Sequence, residues 1–195
     1  MCYTITSLLI SVLIASSTTA TILPVLHQGK VYMDANPSFV KTVTMADAAF
    51  WALRGQPDLR FRYFKTHDED KLEALQEAFS MIEDACDLGS KNIVFRCDPP
   101  GGQCDWADAY VPRYPTDKSN NQIYLCPKFF DKRRYHDGDR ARVLVHELSH
   151  VPYIRHTEDY GTYGLLASLN LPGEYNRFHA DTFSWFALAA FNQDF

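Results

Sequence analysis

The amino-acid sequence predicts a single α+β domain in which helices flank a small antiparallel sheet. Apolar residues recur at helical spacing early in the chain and again near its C-terminal end. Between these stretches lie short β-like runs broken by proline and glycine. The 195 residues show no internal repeat and no linker, and a chain of this length can bury one core without the help of a metal.

The N-terminal twenty residues are typical of a signal peptide. They carry no charged side chain, and their apolar run over residues 8–15 is too short to span a bilayer. Thr18 and Ala20 supply the small residues expected before a cleavage site. We therefore expect a secreted protein with a signal peptide at residues 1–20 and one mature domain at residues 21–195.

Helices are predicted on both sides of the β-like runs. Residues 21–41 show no clear periodicity, and a first helix is expected from about Thr44 to Gly55. A second helix has apolar residues at helical spacing and an acidic start. Its apolar positions are Leu72, Leu75, Phe79 and Ile82. Helical patterns return over residues 139–151 and 174–192.

Three β-like runs, at residues 93–95, 109–111 and 123–125, form the predicted antiparallel sheet. Four cysteines remain after removal of the signal peptide, and an even number in an exported chain predicts two disulfides. These cysteines are Cys86, Cys97, Cys104 and Cys126. Their spacing leaves all three connectivities open.

The charge distribution excludes some classes of partner. The net charge is −5, and no run of lysine and arginine is long enough to follow a phosphate backbone. The basic cluster at residues 132–134 lies between Asp131 and Asp137, as expected for a solvated turn. No segment after the signal peptide approaches the length of a membrane span. We expect a monomer that binds neither nucleic acid nor membrane.

The segment His146-Glu147-Leu148-Ser149-His150 is an HExxH motif on a predicted helix. Residues four apart stack on one helix face, so both imidazoles can bind one metal ion. Glu147 projects beside the metal, where its carboxylate can take a proton from the attacking water. The motif predicts one catalytic zinc ion per chain and hydrolysis of a peptide carbonyl.

A catalytic zinc site needs a third protein ligand, and the residues alone leave three candidates. His156 stands where the pattern HExxHxxGxxH has its third histidine, but Tyr153 replaces the glycine and no methionine follows for a Met-turn. Glu174 resembles an acid at a helix start. Asp159 lies thirteen residues after His146 and beyond a helix-breaking proline, so the chain has the length to fold back.

Several separated segments resemble the aspzincin family of fungal deuterolysins and peptidyl-Lys metalloendopeptidases. Residues 157–164, TEDYGTYG, are similar to the GTxDxxYG motif that follows HExxH in that family. Residues 176–187 are similar to its NADSYxxFA segment, and residues 123–130 to the stretch that precedes HExxH. The resemblance covers most of the mature chain and implies a zincin-like fold.

The resemblance also implies the roles of the site residues. His146, His150 and Asp159 correspond to the zinc ligands and Glu147 to the general base. Tyr163 corresponds to the group that hydrogen-bonds the developing oxyanion.

The chain departs from the family pattern at two places in this region. His156 stands where the family has glycine, and the spacing from Asp159 to Tyr163 is one residue longer. Tyr160 is therefore the alternative to Tyr163 as the oxyanion donor.

Asp181 matches an aspartate that, in the lysine-specific branch of the family, recognises a substrate lysine together with a glutamate three residues later. Ser184 occupies that second position. Asp181 is thus expected to bind substrate or to orient the site, and strict lysine specificity is not expected. The resemblance further implies a disulfide between Cys104 and Cys126, which leaves Cys86 to pair with Cys97.

Together these patterns predict a secreted zinc metalloendopeptidase that acts on protein or peptide substrates. The alternative is a secreted interaction protein, such as an effector, built on a metalloprotease fold whose catalysis is dispensable. The intact set of ligands and Glu147 favours the enzyme, because a degenerate enzyme could lose these residues freely.

Overall fold

The computed structural model describes residues 26–27, 30–31, 37–86, 93–97, 99–112 and 121–193. The predicted signal peptide lies outside these residues. Within them the chain is α+β, and its elements follow in this order: β1 (Leu26–His27), β2 (Lys30–Val31), α1 (Pro37–Gly55), α2 (Pro57–Phe64), α3 (Glu69–Cys86), β3 (Val94–Arg96), β4 (Ala109–Tyr110), β5 (Gln122–Leu125), α4 (Asp137–His150), α5 (Leu165–Asn170), α6 (Gly173–Asn176) and α7 (Ala180–Asn192). No described helix is long and apolar enough to cross a membrane.

Long helices build the core. α1 packs against α3, α4 and α7, and α4 also packs against α7. Four fully buried phenylalanine rings, contributed by α2, α3 and α7, lie with centroids 5.0 to 5.8 Å apart. They are Phe64, Phe79, Phe183 and Phe186. Burial of such rings is a dominant source of core stability, and α7, which carries two of them, packs against α4.

The first helix begins earlier than the predicted Thr44. α1 starts at Pro37, whose ring fixes φ near the helical value and whose missing N–H is no loss in a first turn. Ser38, Phe39 and Thr42 are buried, and the Thr42 hydroxyl donates to the Ser38 carbonyl oxygen at 2.7 Å. Tertiary burial therefore makes this weakly patterned segment helical.

The sheet is mixed, so the predicted antiparallel arrangement is wrong in part. Its strand order is β1-β2-β3-β5-β4. β4 and β5 pair antiparallel, but β5 lies between β4 and β3 and runs parallel to β3. After β3 the chain first forms the edge strand β4 and then returns to form β5 between β3 and β4. The sequence patterns predict the three runs but do not predict this spatial order.

The predicted C-terminal helix is interrupted. α6 ends at Asn176 and α7 begins at Ala180. His179 between them forms a parallel β-bridge with Glu158. The Glu158 N–H donates to Phe178 O at 2.8 Å, and the Ala180 N–H donates to Glu158 O at 3.2 Å. This bridge ties the segment after α4 to the start of α7.

A disulfide joins Cys104 to Cys126, with the Cα atoms 5.3 Å apart, as the family resemblance implies. It links the loop before β4 to the end of β5. The predicted pairing of Cys86 with Cys97 is wrong, because Cys86 is a free thiol. It ends α3 on the core-facing side, and burial raises the pKa of its thiol.

Candidate active site

Three side chains converge at the C-terminal end of α4. The Nε2 atoms of His146 and His150 are 3.2 Å apart. Asp159 Oδ1 lies 3.2 Å from the first of these nitrogens and 3.3 Å from the second. In a tetrahedral zinc site with ligands about 2.0 Å from the ion, ligand atoms are about 3.3 Å apart. The three atoms therefore have the spacing of three corners of such a site.

The burial of Asp159 Oδ1 without a hydrogen-bond partner also favours a bound cation. This buried oxygen has no hydrogen-bond partner among the described residues, although two imidazole nitrogens lie close to it. A buried carboxylate oxygen left unpaired is costly, and a metal ion would satisfy it. Within the described part of the chain, His146, His150 and Asp159 are the group of histidine, cysteine and acidic side chains that could hold a metal ion. The donor set of two imidazoles and a carboxylate suits zinc.

A left-handed residue brings Asp159 back to the helix. α4 ends at His150, before Pro152. The Val151 carbonyl oxygen accepts from the His156 N–H at 3.2 Å, and His156 adopts a φ of 54°. Its side chain is exposed and lies outside the ligand cluster, although it lines the cleft. His156 thus provides the turn that returns the chain, at the position where the family pattern has glycine.

Hydrogen bonds at Nδ1 orient both imidazoles. His146 Nδ1 lies 2.8 Å from Asp181 Oδ1, and His150 Nδ1 lies 2.8 Å from the Thr157 carbonyl oxygen. Both partners are acceptors, so each Nδ1 carries the proton and each Nε2 presents its lone pair to the metal position. The Thr157 N–H in turn donates to Ser149 O at 3.0 Å, which ties the loop to α4.

Charges in the cluster are strongly coupled. Burial opposes protonation of His146, but its contacts with the carboxylates of Asp159 and Asp181 raise its pKa to about 10. Burial would raise the pKa of Asp159, yet its contacts with His146 and His150 hold that pKa far below its usual value. Asp159 is therefore ionised at any physiological pH. A proton and a cation compete for His146 Nε2, so we expect zinc binding to release a proton and to strengthen as pH rises.

Glu147 lies in the same cleft, with only 7% of its surface exposed. Burial raises the pKa of its carboxyl, the charges of His146 and His150 lower it, and Asp159 raises it. A hydrogen bond from the Val111 backbone also lowers the pKa of Glu147, but burial has the largest effect and the pKa is raised overall. A raised carboxyl pKa brings the group closer to neutral pH, where a general base works best.

Of the two candidate tyrosines, Tyr163 is the one at the cluster. Its hydroxyl donates to Asp159 Oδ2 at 2.9 Å, and the residue is 62% exposed and lines the cleft. Burial of the hydroxyl and this hydrogen bond raise its pKa to about 12, so it remains a donor. Tyr160 instead packs against Tyr175, with ring centroids 5.1 Å apart, and does not line the cleft.

An open cleft of about 1090 Å³ runs past these groups. α4 forms one wall, and the segment around the edge strand β4 forms the other. Trp106 and Trp185 add large apolar surfaces to it, and the Trp106 side chain is 71% exposed. The other sequence-based ligand candidate, Glu174, is exposed in α6 and outside the ligand cluster.

His179 is a supporting residue that the sequence patterns did not identify. It is fully buried, and its Nε2 lies 3.1 Å from the Thr162 carbonyl oxygen. Its Nδ1 lies 3.0 Å from the Thr182 hydroxyl oxygen. Burial lowers its pKa, so it is neutral at physiological pH. It fixes the loop that carries Asp159 and Tyr163. The sequence feature that could have pointed to His179 is its place directly before α7, but nothing in the sequence indicates its hydrogen-bond partners.

Both carboxylate oxygens of Asp181 have hydrogen-bond partners within the protein. Oδ1 contacts His146 Nδ1, and Oδ2 accepts from the Gly164 N–H. Burial would raise the pKa of Asp181, but its hydrogen bond to His146 lowers it to about 2. It lines the cleft and is 5% exposed. Of the two roles predicted for it, these contacts support orientation of the site, because no oxygen is left without a partner to bind substrate.

We expect Asp181→Asn to weaken zinc binding by about 10- to 100-fold, the usual effect of removing a group that orients a metal ligand. The amide can present its NH2 group to His146 and so favour the wrong tautomer. Competition with a calibrated chelator measures the affinity. Glu158→Gln is the control, because this acid lines the same cleft but is exposed and lies outside the ligand cluster. Equal affinity in Asp181→Asn and the wild type would contradict the orienting role.

Comparisons with known proteins identify the family to which the chain is similar. The sequence profile of the aspzincin family, described as lysine-specific metallo-endopeptidase, matches residues 54–188. A neutral protease 2 homolog of Phaeosphaeria nodorum is 30% identical over 136 residues, which cover 67% of this chain and 37% of that protein. A probable neutral protease 2 homolog of Arthroderma benhamiae is 30% identical over 150 residues, which cover 73% of this chain and 41% of that protein.

The chain thus spans about two fifths of the length of these curated relatives. A solved structure, described as a zinc peptidase from Grifola frondosa, has the same fold with a TM-score of 0.61. The sequence identity is 18%, and the match covers 81% of this chain and 93% of that one. On the profile match and the similarity to these relatives, the chain belongs to the aspzincin family.

Proposed function

We propose that this chain is a secreted zinc-dependent metalloendopeptidase with one zinc ion per chain, held by His146, His150 and Asp159. The observation that carries the proposal is the convergence of two Nε2 atoms and the unpartnered Asp159 Oδ1 within 3.2 to 3.3 Å of one another. Three protein ligands leave a fourth position open, as in catalytic zinc sites. The neutral protease names of the relatives support the same activity.

The chain's own residues supply the rest of the chemistry. A zinc ion held by His146, His150 and Asp159 would lower the pKa of water to about 7 and would polarise the scissile carbonyl. Glu147 takes the proton from the attacking water and later donates it to the leaving amine. Burial of Glu147 in the cleft keeps its carboxylate poorly solvated, which strengthens it as a base.

An extended peptide fits the cleft. β4 is an edge strand of the sheet and borders the cleft opposite α4. No described strand pairs with its outer edge, and this edge can pair with the backbone of a substrate, as sheet edges do in β-augmentation. Such pairing recognises the main chain and would hold the scissile carbonyl beside His146 and Glu147. This arrangement supports cleavage within a chain, which is the endopeptidase reaction.

We assign Tyr163 as the oxyanion donor. Its hydroxyl already lies at the metal cluster through Asp159 Oδ2, and its raised pKa of about 12 keeps the proton in place. Tyr163→Phe is expected to lower kcat by about 10²- to 10³-fold, as for loss of one oxyanion-hole donor. Steady-state kinetics on a fluorogenic peptide measure it. Tyr160→Phe is the matched control, and an equal loss there would contradict the assignment.

The test of the proposed function is cleavage of casein by the purified, zinc-loaded protein. We expect cleavage that stops after zinc is removed with a chelator and returns when zinc is added back. N-terminal sequencing of the exported protein tests the signal peptide at residues 1–20. Zinc-loaded protein that cleaves no substrate of a broad peptide library would contradict the proposal and favour a secreted interaction protein on this fold.

A further inference from the structure

Arg142 places a guanidinium group in the cleft beside the zinc site. It lies one helical turn before His146, on the same face of α4. Its side chain is 20% exposed and lines the cleft. Among the described residues that line the cleft, Arg142 is the one lysine or arginine.

Three contacts fix this guanidinium. Its Nη1 atom lies 3.7 Å from Asp181 Oδ1 and donates to Ser184 Oγ at 3.4 Å. The group also lies over the Trp185 ring, 4.4 Å from the ring centroid. Stacking on an aromatic face is a favoured arrangement for arginine and restrains the plane of the group.

These contacts leave most of the donors of Arg142 unused. A guanidinium carries five N–H groups, and both polar contacts are made by Nη1. No other hydrogen bond from this side chain is present in the part of the chain that the structure describes. The remaining donors form a planar fork, which matches a carboxylate in two parallel hydrogen bonds. The group is thus held in place and still able to bind an anion.

The same arrangement disfavours a cationic substrate. Asp181 is the carboxylate nearest to Arg142, and its oxygens already contact His146 Nδ1 and the Gly164 N–H. A lysine ammonium approaching Asp181 would meet the positive charge of Arg142 at close range. Like charges brought together in a partly buried site repel each other strongly. The cleft is therefore built against lysine at this point.

We propose that Arg142 is a specificity residue that binds a substrate carboxylate next to the scissile bond. The carboxylate belongs to an aspartate or glutamate side chain or to the free end of a peptide. This assignment rests on the proposed function, since it names the substrate class of the same cleft. It departs from the lysine specificity in the description of the family profile.

The first experiment compares kcat/KM for amidated peptides that differ only in one residue flanking the cleavage site, which is glutamate, glutamine or lysine. For the wild type we expect glutamate to exceed glutamine by about 10- to 100-fold, the effect of a charge-assisted hydrogen bond, with lysine lowest. Arg142→Gln should bring the glutamate-to-glutamine ratio close to one. Arg142→Lys should retain part of the preference, because it keeps the charge without the fork.

A second set of peptides ends in a free carboxylate or a C-terminal amide beside the cleavage site. A ratio that depends on the free end, and not on an internal glutamate, assigns the chain terminus as the ligand of Arg142. Wild-type preference for lysine would overturn the proposal, and so would equal rates on all three flanking residues combined with no effect of the free end. An Arg142→Gln variant that keeps the glutamate preference would overturn it as well.

Measurements of zinc content and of peptide binding distinguish this proposal from a structural role for Arg142 and from failure of the proposed function. Arg142→Gln that loses zinc and slows every peptide by the same factor identifies a structural role and contradicts specificity. If the zinc-loaded wild type cleaves nothing, the proposed function fails, and calorimetry of the glutamate and glutamine peptides against zinc-loaded Glu147→Gln protein decides the role of Arg142. Tighter binding of the glutamate peptide supports it, and equal affinity overturns it.

Discussion

Glu147→Gln is expected to lower kcat for peptide hydrolysis by about 10²- to 10⁴-fold, the range attributed to a general base. Glutamine has nearly the same shape as glutamate but cannot accept a proton from water. The side chain is buried in the cleft, next in sequence to His146 and outside the ligand cluster. The substitution therefore removes the base and leaves the ligands in place.

The measurement pairs steady-state kinetics with metal analysis. We expect a full equivalent of zinc in Glu147→Gln, because its ligands are unchanged. Glu158→Gln is the matched control, since this acid also lines the cleft but is exposed and outside the ligand cluster. Substantial activity in a zinc-loaded Glu147→Gln protein would contradict the assignment of the base.

The HExxH helix could be predicted because its information is local. His146 and His150 share one face of any helix that contains them, and the proline after His150 limits the helix. α4 is observed over Asp137–His150, close to the predicted residues 139–151. The Asp139 carboxylate accepts from the His136 N–H at 3.0 Å, which accounts for the earlier start.

The third ligand and its support depend on contacts between distant segments. Periodicity left His156, Glu174 and Asp159 open, and the family motif favoured Asp159. The structure brings Asp159 to the histidines through the left-handed turn at His156 and the bridge from Glu158 to His179. A bridge over this separation has no signature in a local sequence window, so it could not be predicted from the residues alone.

The differences in strand order and in disulfide pairing also arise from contacts between distant segments. The parallel pairing of β3 with β5 depends on which strand lies between which, and alternation within each run does not encode that order. The spacing of the cysteines carries no information on where each thiol points, so the free state of Cys86 could not be predicted from it. Cys86 faces the core from the end of α3, where burial stabilises it as an apolar side chain.

Asp159→Ala is expected to lower zinc affinity by more than about 100-fold, beyond the effect of losing an orienting group, because it removes a ligand. His156→Gly is the matched variant at the other candidate. His156 has a φ of 54°, which glycine adopts without strain, and its side chain lies outside the cluster. We therefore expect His156→Gly to bind zinc and cleave peptide at close to the wild-type level.

Zinc-dependent stability distinguishes the two candidates without any assay of activity. A metal that binds only the folded state raises Tm, because it increases the free energy of unfolding. The increase is about 2.7 kcal/mol when zinc is present at 100 times its Kd. The rise should be present in the wild type and in His156→Gly, and absent in Asp159→Ala at the same zinc concentration. Asp159→Ala also removes the acceptor of the Tyr163 hydroxyl, so Tyr163→Phe is needed as a second control. If Tyr163→Phe keeps the zinc-dependent rise, its loss in Asp159→Ala comes from the missing ligand. Loss of the rise in His156→Gly with its retention in Asp159→Ala would assign His156 as the ligand instead.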